Sequence, residues 1–176
     1  MTKSRFLLLD ANVVIRLFEM ELWDAVASRR GLVLPSLVVR ESDFFVDAAG
    51  VERPIDLRPD IDAGRITVMA ATEEEMKAYR ERFDDLYVQR LHDGETEALI
   101  WCERRGEECR LCSADAVVFR VLALLDRREQ GVSLQELLDE IGLSRTVTWP
   151  FTKAFREEKH REGVTDRLAG IGLRRR

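Results

Sequence analysis

Apolar runs of strand length alternate along the chain with longer stretches in which apolar residues recur at helical spacing. The strand pattern is clearest at residues 6–9, and the residues that follow resume as an apolar stretch with helical spacing. Further strands are predicted at 32–35, 65–69 and 110–112, and helices at 13–29 with a break near Glu19, 36–46, 72–91, 95–105 and 117–125. Strands that alternate with helices imply βαβ crossovers, and therefore a parallel sheet covered by helices on both faces.

Capping residues and helix breakers set the boundaries of these elements. Ser36 is predicted to cap the helix at 36–46. Thr72 and Glu75 have the spacing of a capping box, which places another helix start there. Residues 50–60 contain a glycine and two prolines, so a loop is expected between the two helices.

The character of the chain changes after about residue 126. The sequence of residues 133–144 predicts a capped amphipathic helix, then a turn at a glycine and a polar residue that could begin another helix. This order loosely resembles a helix-turn-helix motif. Trp149-Pro150 would interrupt the second helix of such a motif. We therefore expect a main α/β domain at 1–126 and a helical extension at 127–176, packed on the same domain or on a partner.

Composition describes an ordinary soluble protein and sets limits on its partners. With 176 residues, 45% hydrophobic and 35% charged, the chain is long enough for one domain with a real core. We find neither an apolar run of membrane-span length nor a signal-peptide pattern, so a cytoplasmic location is expected. A net charge of −5 argues against a protein that binds nucleic acid through its overall charge alone. Bound cations would nevertheless reverse the sign of the local field at an acidic site. The basic end at 174–176 is predicted to be a solvated tail.

The three cysteines are an odd number, which suits a reducing compartment better than a disulfide framework. Cys109 and Cys112 have CxxC spacing, but a zinc site would need further ligands and the chain has no second pair. Both fall in a short predicted strand. We interpret them as core residues.

Two aspartates follow predicted strands directly. Asp10 comes after the strand at 6–9, and Asp115 after the strand at 110–112. In open parallel sheets, ligand sites lie at the carboxyl ends of the strands, so these two acids would be close together if their strands are neighbours. Either aspartate could instead simply cap the helix that follows it.

Three glutamates are further candidates. Glu41 lies about one turn beyond the apolar Leu37 and Val38, so it can share their inward direction, or it can be a solvated surface acid. Glu95 and Glu97 fall in the first turn of a predicted helix, where negative charge is favourable in any case. Glu97 directly precedes an apolar run and is the better candidate for pointing into a site.

Together these residues resemble a known family. Leu8-Leu9-Asp10-Ala11-Asn12, Glu41, Gly94-Glu95-Thr96-Glu97-Ala98-Leu99 and Ser113-Ala114-Asp115 resemble the motifs of PIN-domain nucleases over roughly residues 5 to 125. The chain is similar to the branch with a Gly-Glu-x-Glu-Ala signature, which includes VapC-type toxins. The resemblance implies a three-layer α/β/α sandwich with a central parallel sheet, here with extra C-terminal helices.

The resemblance also implies an activity, a cofactor and partners. It implies a ribonuclease that uses Mg²⁺ or Mn²⁺ to hydrolyse RNA phosphodiesters. For a member of the toxin branch it also implies a small antitoxin, whose helix and arginine would reach the acidic cleft. We expect a homodimer. Its catalytic and metal-binding acids would be Asp10, Glu41, Glu97 and Asp115. The residues that support these acids from outside the metal site would be Asn12, Ser113, Glu95 and Asp93. Two departures stand out: Glu97 replaces a common aspartate, and Ser113 replaces a frequent threonine.

Other functions stay open at this stage. A degenerate PIN-like domain would bind RNA or a protein partner without cutting. A DNA-binding regulator would use residues 133–160. A haloacid- or phosphatase-like enzyme would carry a second aspartate two residues after Asp10, where Asn12 stands. His92 beside the predicted turn could contact substrate, but a surface histidine is the simpler interpretation.

Overall fold

The computed structural model describes residues 5–29 and 31–174. The expectations that rest on residues 1–4 and 175–176 lie outside these ranges. The strands are β1 Phe6–Leu9, β2 Leu32–Pro35, β3 Phe44–Val46, β4 Glu52–Pro54, β5 Ile66–Met69, β6 Cys109–Cys112 and β7 Gly131–Val132. The helices are α1 Ala11–Glu19, α2 Trp23–Arg29, α3 Ser36–Glu41, α4 Arg58–Asp62, α5 Glu73–Arg80, α6 Asp85–Val88, α7 Asp93–Arg105, α8 Ala116–Leu124, α9 Leu134–Glu140 and α10 Lys153–Leu168.

Five strands form the predicted parallel sheet, in the order β5-β2-β1-β6-β7. The first strand of the chain lies in the centre, where Leu8 pairs with Val33 of β2 on one side and with Leu111 of β6 on the other. Consequently, the carboxyl ends of β1 and β6 lie side by side, as the placement of the two aspartates requires.

The two faces of the sheet carry separate hydrophobic cores, because successive side chains of a strand point to opposite faces. Leu7 and Leu9 pack with residues of α1, α2 and α9, whereas Leu8 packs with residues of α5, α7 and α8. This gives helices on both sides of one sheet and confirms the α/β class. Within the described ranges, no helix is long and apolar enough to span a membrane.

The predicted helix at 36–46 is wrong beyond residue 41. α3 ends at Glu41, and Phe44–Val46 instead forms an antiparallel ribbon with Glu52–Pro54. Phe45 packs on Phe18 of α1, while Phe44 is half exposed. The ribbon depends on pairing with a segment that was predicted to be a loop. The pattern of apolar residues within 36–46 carries no information about that pairing. Ser36 is the first residue of α3, and Pro35 occupies the capping position.

Other elements also differ from the prediction. The expected loop at 50–60 contains β4 and the start of α4. The helix expected at 72–91 begins with the predicted Thr72 capping box but ends at Arg80, and a short second helix follows at Asp85–Val88. The two-residue strand β7 was not predicted, because so short a strand shows no periodicity.

The C-terminal segment packs on the α/β sheet rather than forming a helix-turn-helix. The predicted capping box of Ser133 with Glu136 starts α9, but residues 141–148 are not helical. A helix-turn-helix joins its helices by a turn of about 3–4 residues. α10 instead lies along α8, and a Cβ at Gly163 would come within 2.5 Å of the carbonyl oxygen of Arg120. Glycine therefore permits the close approach of the two helices.

The cysteines of the CxxC sequence lie on opposite faces of the sheet. Cys112 belongs to the core beside α1 and α9, and Cys109 to the core beside α7 and α8. Both thiols are buried, and burial raises the pKa of Cys112 well above its ordinary value. This placement agrees with their interpretation as core residues.

His160 of α10 is a buried histidine that should make folding stability depend on pH. Burial, followed by the charges of Arg156 and Arg128 and opposed by Glu136, lowers the pKa of His160 to about 4. The folded protein therefore keeps the ring neutral, whereas the unfolded chain takes up a proton below about pH 6.5. The stabilisation is present above that pH and is lost as the pH falls toward 4.

We expect His160→Gln to flatten this part of the stability profile. Between pH 7 and pH 5, urea unfolding of the wild type should lose about 2 kcal/mol more than that of the variant. Comparing the two proteins removes the contribution of other titrating groups. Equal losses in the two proteins would show that His160 does not control stability in this range.

Candidate functional site

Asp10 lies at the carboxyl end of the central strand and is almost completely buried, with 5% of its surface exposed. One carboxylate oxygen accepts a hydrogen bond from the backbone N–H of Val13 at 2.8 Å, which caps α1. The other accepts from the hydroxyl of Ser113 and from the backbone N–H of Ala114 at 3.0 Å. Asp10 therefore is a helix cap, as the alternative interpretation held, but it also joins β1 to the loop that follows β6.

Burial nevertheless raises the pKa of Asp10. The hydrogen bonds from Ser113, Val13 and Ala114 oppose this effect, and the charge of Asp115 adds to it. Burial is the largest of these effects, so the raised pKa reflects mainly the removal of the Asp10 carboxyl group from water.

Asp115 is the next acid of the cluster and follows β6 as Asp10 follows β1. Its side chain accepts from the backbone N–H of Val117 at 2.8 Å and so caps α8. Its own backbone N–H donates to the Ser113 hydroxyl oxygen at 2.9 Å. Because Ser113 donates to Asp10, a single hydroxyl connects the two aspartates.

Glu95 faces these aspartates from the first turn of α7. Burial raises the pKa of Glu95, and the charges of Asp115 and Asp10 raise it further, while its own backbone N–H and His92 lower it. One of its carboxylate oxygens, Oε2, is buried and has no hydrogen-bond partner among the described residues. Such an oxygen is costly unless a ligand or cation satisfies it.

Glu41 lies against the first turn of α7, which also carries Glu95. Its Oε2 is 3.3 Å from the position that a Cβ would take at Gly94. Glu41 is exposed at the end of α3, yet its carboxylate points toward the same part of α7 as Val38, whose Cγ2 is 3.6 Å from that Cβ position. The absence of a side chain at Gly94 lets the Glu41 carboxylate approach the first turn of α7 closely.

Glu97 lies apart from the other acids and is bound by backbone and hydroxyl donors. Its carboxylate accepts from the Ser36 hydroxyl at 3.1 Å, from the Leu37 N–H at 3.1 Å and from the Ala71 N–H at 2.9 Å. Pro35 offers α3 no side-chain cap, and Glu97 satisfies the free N–H groups in its place. With 1% of its surface exposed, Glu97 links α7 to α3 and to the segment after β5.

The divergence of Glu95 and Glu97 follows from helix geometry. Residues two apart on a helix do not share a face, and α7 begins at Asp93 rather than at the predicted Glu95. The sequence prediction ranked Glu97 above Glu95 because of the apolar run after it. That run indicates burial, but burial here goes with structural hydrogen bonds.

The remaining predicted residues divide between the cluster and the surface. Ser113 is buried, and its hydroxyl donates to Asp10 and accepts from the backbone N–H of Asp115. Asn12 is exposed on the first turn of α1, and its side chain has no hydrogen bond to the described residues. Asp93 forms an ion pair with Arg80. His92 is exposed and contributes favourable charge to Glu95.

The donor set of the cluster fits a hard divalent cation. Asp10, Glu95 and Asp115 supply carboxylate oxygens, and the orphaned oxygen of Glu95 is the clearest open position. Among the described residues, no three His, Cys, Asp or Glu side chains lie close enough together to hold one ion by themselves. Mg²⁺ does not require three, since it keeps several waters and is commonly bound through one or two carboxylates.

Comparison of the chain with family models, with curated proteins and with solved structures found no match.

Proposed function

We propose that the protein is a PIN-like, metal-dependent endoribonuclease that hydrolyses RNA phosphodiester bonds. The observation that carries the proposal is the gathering of Asp10, Glu95 and Asp115 at the carboxyl edge of the parallel sheet. No lysine or arginine in the described ranges forms an ion pair with any of them. Clustered acids without a cation favour a site that takes up metal and, through it, phosphate.

The residues of the cluster would divide the work as follows. Glu95 and one of the two aspartates would bind Mg²⁺ or Mn²⁺ directly, and the remaining acids, with Glu41 on the exposed side, would bind the waters that the ion keeps. Ser113 fixes the rotamer of Asp10 and the backbone of Asp115. When bound, the metal supplies an activated water and stabilises charge on the leaving oxygen. The antitoxin partner, the homodimer and the cytoplasmic location stay predictions of the sequence.

A second candidate function is RNA or protein binding without cleavage. One observation favours it: the acids do not converge on a single three-ligand position. A domain that had lost its chemistry would keep the fold and the cleft but would not need metal. The DNA-binding alternative lacks a recognition helix after a short turn at 141–148.

The test is cleavage of a mixed pool of structured and single-stranded RNA by the purified protein. The reaction is run in EDTA, Mg²⁺ or Mn²⁺, and we expect cleavage only with metal. Asp115→Asn should abolish it, and asparagine keeps the helix cap that Asp115 provides to α8. Asp10→Asn is less clean, because its amide would face the N–H of Ala114.

Asp62→Asn serves as the matched control. Asp62 is an exposed acid that precedes β5, at the opposite edge of the sheet from the cluster. Its replacement should leave cleavage unchanged. If wild type and Asp115→Asn are equally inactive, and calorimetry detects no metal uptake by the wild type, the nuclease proposal is wrong and the binding function replaces it.

A further inference from the structure

A cleft of about 300 Å³ opens beside Asp115. We call it the arginine cleft; its lining residues are Tyr87, Gln89, Arg90, His92, Asp115, Ala116, Val117 and Arg120. Asp115 belongs both to this cleft and to the acid cluster. A ligand in the cleft therefore lies next to whatever the acids hold.

The cleft presents cationic groups immediately beside an anionic site. Arg90 is exposed, and its guanidinium forms no ion pair with the described residues. The guanidinium of Arg120 lies over the ring of Tyr87, 5.3 Å from its centroid. Guanidinium groups are suited to phosphate oxygens because their N–H donors match the geometry of the anion.

The position of Arg120 is fixed by the C-terminal helix. Asp166 of α10 accepts a hydrogen bond from Arg120 at 2.6 Å and another from the Tyr87 hydroxyl. Burial opposes the ionisation of Asp166, but these hydrogen bonds hold its pKa below the ordinary value. The Nε of Arg120 is buried and has no hydrogen bond to the described residues, and a carboxylate oxygen of Glu162 lies 3.8 Å from it.

The close packing of α10 on α8 brings Asp166 to this place. Gly163 lies against the backbone of Arg120, and Asp166 follows Gly163 by about one helical turn. A larger residue at 163 would push the helices apart. The C-terminal extension thus holds Arg120, one of the residues that line the arginine cleft.

We propose that the arginine cleft binds a backbone phosphate of a single nucleic-acid strand, adjacent to the phosphate at the acid cluster. Arg90 is the principal phosphate ligand and Arg120 the second, with Asp166 as the residue that positions Arg120. The cleft is at the small end of ligand pockets, which fits one nucleotide unit rather than a duplex. This inference rests on the proposed function in that the acid cluster is taken to hold the neighbouring phosphate.

The direct test is binding of a short, fluorescently labelled 2′-O-methyl RNA strand in EDTA, which separates binding from cleavage. Arg90→Gln should weaken binding about 5-fold and reduce the slope of log K against log salt by about 0.7. Arg161→Gln is the matched control, since Arg161 is an exposed arginine that lines a different pocket. It should change neither the affinity nor the slope by as much.

A second variant tests the positioning role. Asp166→Asn should raise KM for RNA cleavage and leave kcat unchanged, because it loosens Arg120 without touching the acids. A folding defect alone would lower kcat through loss of active protein, with KM unchanged. Asp166→Glu, which keeps the charge, should restore KM in part.

The outcomes separate this inference from the proposed nuclease function. If metal-dependent cleavage is present but Arg90→Gln binds RNA like the wild type with the same salt slope, the phosphate subsite is overturned. If no cleavage occurs but Arg90→Gln loses affinity and slope relative to Arg161→Gln, the subsite stands and the nuclease function falls.

Discussion

Replacing Glu95 with glutamine should lower metal-dependent RNA cleavage by at least about 100-fold while the protein stays folded. Changing a residue that only supports a metal ligand typically costs about 10–100-fold, and Glu95 is proposed as a ligand itself. Its carboxylate has a buried oxygen with no partner in the described chain and faces Asp10 and Asp115. Glutamine keeps the size of the side chain but removes the charge that a cation requires.

The measurement is the single-turnover cleavage rate with Mg²⁺ in excess, alongside urea unfolding without metal. The free energy of unfolding should equal or slightly exceed that of the wild type, because the substitution relieves repulsion among three acids. Glu74→Gln is the control for loss of an exposed glutamate, on α5. If Glu95→Gln cleaves RNA at the wild-type rate, Glu95 is not a ligand of the site.

Replacing Glu97 with glutamine should lower the free energy of unfolding by about 2–4 kcal/mol. The Glu97 carboxylate accepts hydrogen bonds from Ser36, Leu37 and Ala71. The Leu37 and Ala71 donors are backbone N–H groups, which cannot act as acceptors. A glutamine amide offers one acceptor, so its NH₂ must face a donor, and one buried N–H loses its partner. The cost falls on the contact between α7 and α3.

Urea denaturation at pH 7 measures this effect, with the slope m as a check that the unfolded state is unchanged. Under conditions where Glu97→Gln remains folded, cleavage should persist. The reverse result, unaltered stability with cleavage lost, would return Glu97 to the metal-binding role that the sequence predicted. Together, Glu95→Gln and Glu97→Gln therefore distinguish a glutamate that binds the metal from one that stabilises the fold.

Much of the fold could be predicted because its signals are local. The strand at Phe6–Leu9, the break in the first helix and the Thr72 capping box each depend on a few neighbouring residues. The β3–β4 ribbon could not be predicted in the same way. Phe44 and Phe45 fit a helical face as well as a strand, and the pairing with Glu52–Pro54 decides between them.

The candidate site shows the same division between local and distant information. The positions of Asp10 and Asp115 after strands, and the hydroxyl of Ser113, follow from sequence adjacency and a parallel sheet. The separate places of Glu95 and Glu97 do not, because the donors to Glu97 lie between 26 and 61 residues away. The first residue of α7 also decides which acid faces Asp10, and helix starts are the least certain boundaries.

The central position of β1 also bears on synthesis of the chain. Phe6 pairs with Cys109, and Asp10 accepts a hydrogen bond from a residue 103 positions later. A ribosome releases the N-terminal strand first, yet the other half of the acid cluster emerges only after some two-thirds of the chain. Asp166 follows later still. A nascent chain therefore contains Asp10 long before it contains Ser113 and Asp115, and the acid cluster can form only late in synthesis.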